Sequence, residues 1–147
     1  MAAKKLGSFT FVLHSHLPYV LSHGRWPHGT DWLNEAAAET YMPILAALEK
    51  LIDEGISPKL TLGITPVLTE MLRAPSFVYE FNSYLDTKIE AAQADIAEFK
   101  VTKQPSLGKV AKMWEKFYTD TRDMYNGRLK NDIVGEFAAS RGRGISR

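Results

Sequence analysis

Residues 8–28 read SFTFVLHSHLPYVLSHGRWPH, and they contain all four histidines of the 147-residue chain. The first six, SFTFVL, are rich in aromatic and β-branched side chains and show no helical period. Such a run predicts a strand over residues 8–13, and its continuous apolar character predicts burial on both faces. The histidines begin where that strand should end, and Pro18, Gly24, Pro27 and Gly29 then mark a loop. The fold and the chemistry therefore both turn on one strand that delivers imidazoles into a loop.

Downstream, residues 31–55 (DWLNEAAAETYMPILAALEKLIDEG) predict a helix, with Asp31 as N-cap and Gly55 just past its end. Pro43 lies in its middle, where it removes a hydrogen bond and clashes with the preceding turn. Two segments meeting near Met42, or a kink, are expected. Beyond it, Ile44, Leu45, Leu48, Leu51 and Ile52 follow the spacing of one buried stripe. Residues 59–67 (KLTLGITPV) predict a second strand closed by Pro66, and residues 68–73 a short helical turn. Residues 76–100 predict a long polar helix with Phe77, Tyr84, Ile89, Ile96 and Phe99 among its apolar positions. Gln104-Pro105 breaks it. Residues 106–125 predict another, with Val110, Met113, Trp114, Phe117 and Tyr118 on one side. Asn126-Gly127 reads as a stop, and residues 131–139 open one more helix.

Two strands joined by a helical crossover imply a parallel βαβ unit in an α/β fold. Strands this apolar need neighbours on both sides. The pattern thus reads as the opening of a larger α/β domain.

Composition narrows the function classes. A formal charge of +1 gives no electrostatic case for nucleic acid or an anionic membrane surface. No run reaches the roughly 18 apolar residues of a membrane span, and the N-terminal apolar run is too short and polar for a signal peptide. With no cysteine, disulfides and thiolate metal sites are out of reach. A cytoplasmic location is expected.

The histidines admit several readings. Residues two apart on a strand share a face, so His14 and His16 can converge. His-x-His after a first strand also opens metal-dependent barrel hydrolases. A metal needs further ligands, however; His23 or His28 can supply one, but residues 59–67 offer none. Polar filling of a loop is the plainest alternative. The company of the histidines favours carbohydrate: His-x-His-x-Pro-Tyr, ending in Tyr19, leads to Gly24-Arg25-Trp26-Pro27. An indole in a Pro/Gly-rich loop offers a flat face to a sugar ring, while imidazole and guanidinium groups bond its hydroxyls. Trp26 alone would serve equally as a packing anchor.

The run FVLHSHLPYVLSHGRWPHGTDWLNEAAAETYMPIL, residues 11–45, resembles the N-terminus of glycoside hydrolase family 57, and within it the 1,4-α-glucan branching enzymes. HSHLPY matches the family's first signature region. GRWPHG followed by WLNEAAAETY is characteristic of the branching subgroup, and LGITPVLTEML fits the same pattern. The resemblance spans residues 6–139. It implies the N-terminal part of an incomplete (β/α)7 barrel over residues 1–139, with parallel strands and several crossover helices. HSHLPY would lie at the C-terminal end of the first strand, where barrel enzymes carry their active sites. His14, His16, Tyr19 and Trp26 would then bind an α-1,4-glucan, with no cofactor or metal implied.

By the same resemblance, branching is a retaining transfer. A glutamate attacks the anomeric carbon, an aspartate acts as acid and then base, and a 6-hydroxyl is the acceptor. Those two carboxylates belong to signature regions on later barrel strands. The acidic residues after position 70 fall on predicted helices or their ends and read as solvated faces. The expectation is a fragment of a branching enzyme that carries a substrate-binding element and no catalytic residue. The alternatives are a non-catalytic glucan-binding module and, more distantly, a metal-dependent barrel hydrolase. Residues 140–147, SRGRGISR, depart from the resemblance as a divergent basic tail. They read either as a frayed terminus or as the product of a frame shift near codon 140. One synonymous coding of RGRGISR, read two bases later, gives Gly-Gln-Gly-His-Leu-Glu, the kind of strand entrance the resemblance leads one to expect.

Overall fold

The computed structural model describes residue 7 and residues 9–143, with side chains through residue 140. Strand β1 (Phe11–Ser15) leads through the histidine loop into α1 (Thr30–Ala36), a π-helical turn (Ala37–Tyr41) and α2 (Met42–Asp53). Strand β2 (Leu60–Ile64), α3 (Pro66–Arg73), α4 (Pro75–Val101) and α5 (Pro105–Asp123) follow. A second π turn (Met124–Arg128) and α6 (Ile133–Arg143) complete the described chain.

The two strands pair in parallel, in register from Phe11 opposite Leu60 to Ser15 opposite Ile64. The expected βαβ unit is thus present. Its strand differs from expectation in two respects. β1 starts at Phe11 and runs through His14, and Ser8 lies outside the described residues. It is also open rather than buried: Phe11 is 58% and Val12 71% exposed. A parallel strand is buried only when helices cover its faces and further strands flank it. Among the described residues β1 has one neighbour, β2.

The interrupted helix behaves as Pro43 requires. Without an N–H, Pro43 cannot donate to the carbonyl of Glu39, and its ring crowds that turn. The chain widens there into the π turn Ala37–Tyr41, and α2 starts afresh with Pro43 in its first turn. Gly55 closes the helix as predicted. It sits at φ +73°, donates to Ile52 O (2.9 Å), and Ile56 N donates to Leu51 O (2.8 Å), a Schellman closure. Of the stripe, Leu45 and Leu48 are buried, whereas Ile44, Leu51 and Ile52 are half-buried.

Other boundaries shift for physical reasons. Pro66 opens α3 instead of closing a strand, because its fixed φ suits the first helical turn. Asn126-Gly127 does not stop the helix after α5, which winds through both in the second π turn. That turn carries Tyr125 inward to complete an aromatic cluster with Phe77 and Phe81, the Phe81–Tyr125 centroids lying 4.8 Å apart. Burying such rings stabilises by about 1.5–3 kcal/mol each, enough to override a local turn preference. Asp132 then caps α6, accepting from Gly135 N at 2.7 Å. α6 runs across position 140 as far as Arg143, and residues 144–147 lie outside the described residues.

The core lies among α1, α2, α3, α4 and the second π turn, with Leu33, Leu45, Leu68, Met71, Phe77, Phe81, Leu85 and Tyr125 fully enclosed. α5 joins it by part of its apolar side, through Tyr118 and Phe117. Its packing face against α4 carries Ala111, Tyr118 and Thr121, while Val110, Met113 and Trp114 are exposed. The close α4–α5 approach favours a small residue at 111, so the bulkier stripe is turned outward.

Candidate functional site

The loop after β1 is fastened from below. Leu17, Val20 and Leu21 are buried in the core, and the Val20 amide approaches the Met71 sulfur at 3.3 Å. Pro18, Tyr19 and residues 22–28 are left exposed above them. Alternating anchors and display residues of this kind hold a loop in place while its polar groups face solvent.

A second fastening closes the loop on α1. Thr30 N donates to Gly24 O (2.9 Å) and Asp31 N to Arg25 O (3.1 Å). At this crossing Gly29 is dictated by contact, since a Cβ there would stand 2.0 Å from the Gly24 carbonyl oxygen. Gly29 is also the N-cap position, where Asp31 was expected. Asp31 instead lies in the first turn and accepts from Arg25 Nε and Nη2, both at 3.2 Å. The guanidinium assigned to sugar hydroxyls is therefore partly engaged within the protein. As an exposed pair it adds about 0–1 kcal/mol; its larger effect is to fix the loop's direction.

His14 stands on β1 opposite Gly63, with His16 one residue past the strand. Their rings are nearly parallel, 14° apart with centroids at 6.2 Å, as the two-residue repeat requires. Both are exposed. Tyr19 does not join them; its ring meets His23 edge-on at 6.2 Å, and His23 Nδ1 lies 3.0 Å from Leu21 O. Trp26 is 79% exposed and makes no ring contact among the described residues. The structure thus pairs His14 with His16, and presents Tyr19 and Trp26 separately on the same loop.

The sequence reading passed over Trp32, which lies on the first turn of α1, is 39% exposed and meets His28 at 5.9 Å. It took Gly24 and Gly29 as loop markers without showing that they meet where the loop closes. Among the described residues no three His, Asp or Glu side chains converge as a metal site would require.

Behind the loop, tyrosines join the helices. Tyr118 donates to Glu39 at 2.8 Å, tying α5 to the first π turn. Burial, with Glu39 adding to it, raises the Tyr118 hydroxyl well above the usual tyrosine range. Burial likewise pushes Tyr84 and Tyr125 up to about 12.

The chain matches the model of glycosyl hydrolase family 57 over residues 10–133. It belongs to this family. It is 35% identical over 130 residues to a 1,4-alpha-glucan branching enzyme of Thermococcus kodakarensis, a match covering 88% of this chain and 18% of that protein. Among solved structures, the GH57-type branching enzyme of Pyrococcus horikoshii superposes with a TM-score of 0.86 at 36% identity, covering 92% of this chain and 25% of that one. The alpha-amylase AmyC of Thermotoga maritima superposes at 0.78 with 28% identity, over the same shares. This family 57 chain therefore spans less than a fifth of that curated relative and a quarter of each solved one. Its histidine loop lies inside the matched region, and no described helix is long and apolar enough to cross a membrane.

Proposed function

We propose that this chain is the glucan-binding opening segment of a 1,4-α-glucan branching enzyme. The observation that carries this reading is the cofacial, exposed His14–His16 pair at the C-terminal end of β1, with Tyr19 and the exposed Trp26 on the loop that follows. Imidazoles two residues apart on one face bond neighbouring hydroxyls of a sugar ring. An indole held by a closed loop stacks on the apolar face of another. β1 and β2 are then the first two strands of a (β/α)7 barrel in the cytoplasm. The retaining chemistry needs a glutamate nucleophile and an aspartate acid/base, which in this reading come from later barrel strands. This chain supplies substrate binding and no catalytic carboxylate.

The test is calorimetric titration of the 147-residue chain with maltoheptaose. Trp26→Ala and His14→Ala should each weaken binding about tenfold, the loss of one stacking or hydrogen-bonding partner. Incubation with amylose should yield no new α-1,6 linkages. Unchanged affinity in both variants would return the pair and the indole to structural roles.

A further inference from the structure

A cleft lies between the histidine loop, α1 and α4. Its volume is about 390 Å³, and residues 22, 24 and 25 of the loop, Thr30 and Asn34 of α1, and Tyr79, Glu80 and Ser83 of α4 line it. None of the four histidines lines it, and neither does Trp26. We infer that this cleft is a second hexose-binding site, separate from the histidine pair.

Three features support that ligand. Asn34 is 2% exposed, yet its Oδ1 accepts no hydrogen bond among the described residues. Buried carbonyl oxygens are almost always partnered; this one is itself enclosed, so a ligand donor reaches it only after the carboxamide turns toward the cleft that Asn34 lines. The lining also combines donors and acceptors evenly, with a guanidinium, a carboxylate, a carboxamide and the hydroxyls of Ser22, Thr30 and Ser83. Asp31 already balances Arg25, so Glu80 is the charge left over; its carboxylate repels anions and accepts from ligand hydroxyls. Asp31 occupies Nε and Nη2 of Arg25, which leaves Nη1 for a ligand. Finally, Tyr79 is 77% exposed, so its ring offers a flat apolar face of the kind a pyranose covers. The volume lies within the range of about 300–1,000 Å³ typical of small-ligand sites.

The choice of a hexose rests on the glucan reading above; the cleft itself does not. The experiment is saturation-transfer NMR with maltotriose on the 147-residue chain, which tolerates self-association. Wild type, Tyr79→Ala, Asn34→Leu and Trp26→Ala are titrated in parallel. Tyr79 is exposed, so its replacement leaves the fold intact, whereas Asn34→Leu is accompanied by circular dichroism. The expected result is retained transfer in Trp26→Ala and about five- to tenfold weaker binding of the remaining component when Tyr79→Ala is added. If Trp26→Ala alone abolishes all transfer, the cleft is empty of sugar and the inference fails while the glucan reading stands. If Trp26→Ala changes nothing and Tyr79→Ala removes the signal, the cleft stands and the glucan role of the histidine loop fails. Absence of transfer to the wild-type chain overturns the cleft as well.

Discussion

A single missing Cβ decides how the candidate site is displayed. Gly29 lies where α1 begins, beneath the carbonyl of Gly24, and the Thr30–Gly24 hydrogen bond forms only because nothing intervenes. Gly29→Ala would place a methyl 2.0 Å from that oxygen, so the crossing must open. The expected cost is about 1–3 kcal/mol, as for other overpacked sites. Denaturant midpoints read this directly, and maltoheptaose affinity should fall with them because the Trp26 arm is no longer held. An unaltered midpoint would show that the loop closes by other means. The sequence announced glycine here only as a turn former. It gave no sign of the close approach, which depends on two segments meeting in space. The same limit applies to Asp31, whose capping signature was sound locally but lost to Arg25, six residues earlier in the chain.

Helices were the most legible elements, and the reason is visible at their ends. Pro43, Gly55 and Gln104-Pro105 act through their own backbone constraints, so their effects survive whatever packs around them. The faces of helices were less legible. α5 offers a broad apolar arc, and only the distance to α4 chooses Ala111, Tyr118 and Thr121 over Val110, Met113 and Trp114. That choice places Tyr84 of α4 beside Tyr118 of α5, with centroids 6.4 Å apart, while Tyr125 enters the core from the next turn. It has a consequence at alkaline pH. Burial first, and nearby carboxylates second, hold Tyr84 and Tyr125 near 12, against 10.0 ordinarily, and raise Tyr118 too. Between these values the folded protein keeps protons that the unfolded chain releases, so the unfolded state binds fewer. Stability is then full below about pH 10 and falls as pH climbs toward the folded values. Urea midpoints measured across the alkaline range should drop in step with tyrosinate absorbance, and Tyr118→Phe should make the decline shallower. A midpoint constant to pH 11 would contradict this account of the helix contacts.

At the scale of the whole molecule, the parallel βαβ order was legible because it follows from element order alone. The burial of its strands was not. Hydropathy reports what a segment prefers, whereas exposure reports what is present to cover it. Here the preference and the outcome diverge: Phe11 and Val12 are 58% and 71% exposed on a sheet of two strands among the described residues, and Phe9 just before it is 79% exposed. Open apolar strands with unpaired backbone groups invite pairing with another copy. The 147-residue chain should therefore self-associate in a concentration-dependent way by sedimentation velocity. Val12→Lys tests the cause, because a charge on this strand disfavours pairing and Val12 makes too little contact here for its loss to unfold the chain. The expected outcome is a shift toward monomer, with the helical circular dichroism signal retained. If wild type is monomeric at high concentration, the exposed strand is tolerated as it stands. If it associates and Val12→Lys leaves association unchanged, the contact lies elsewhere, with the outward stripe of Val110, Met113 and Trp114 on α5 as the next surface to alter.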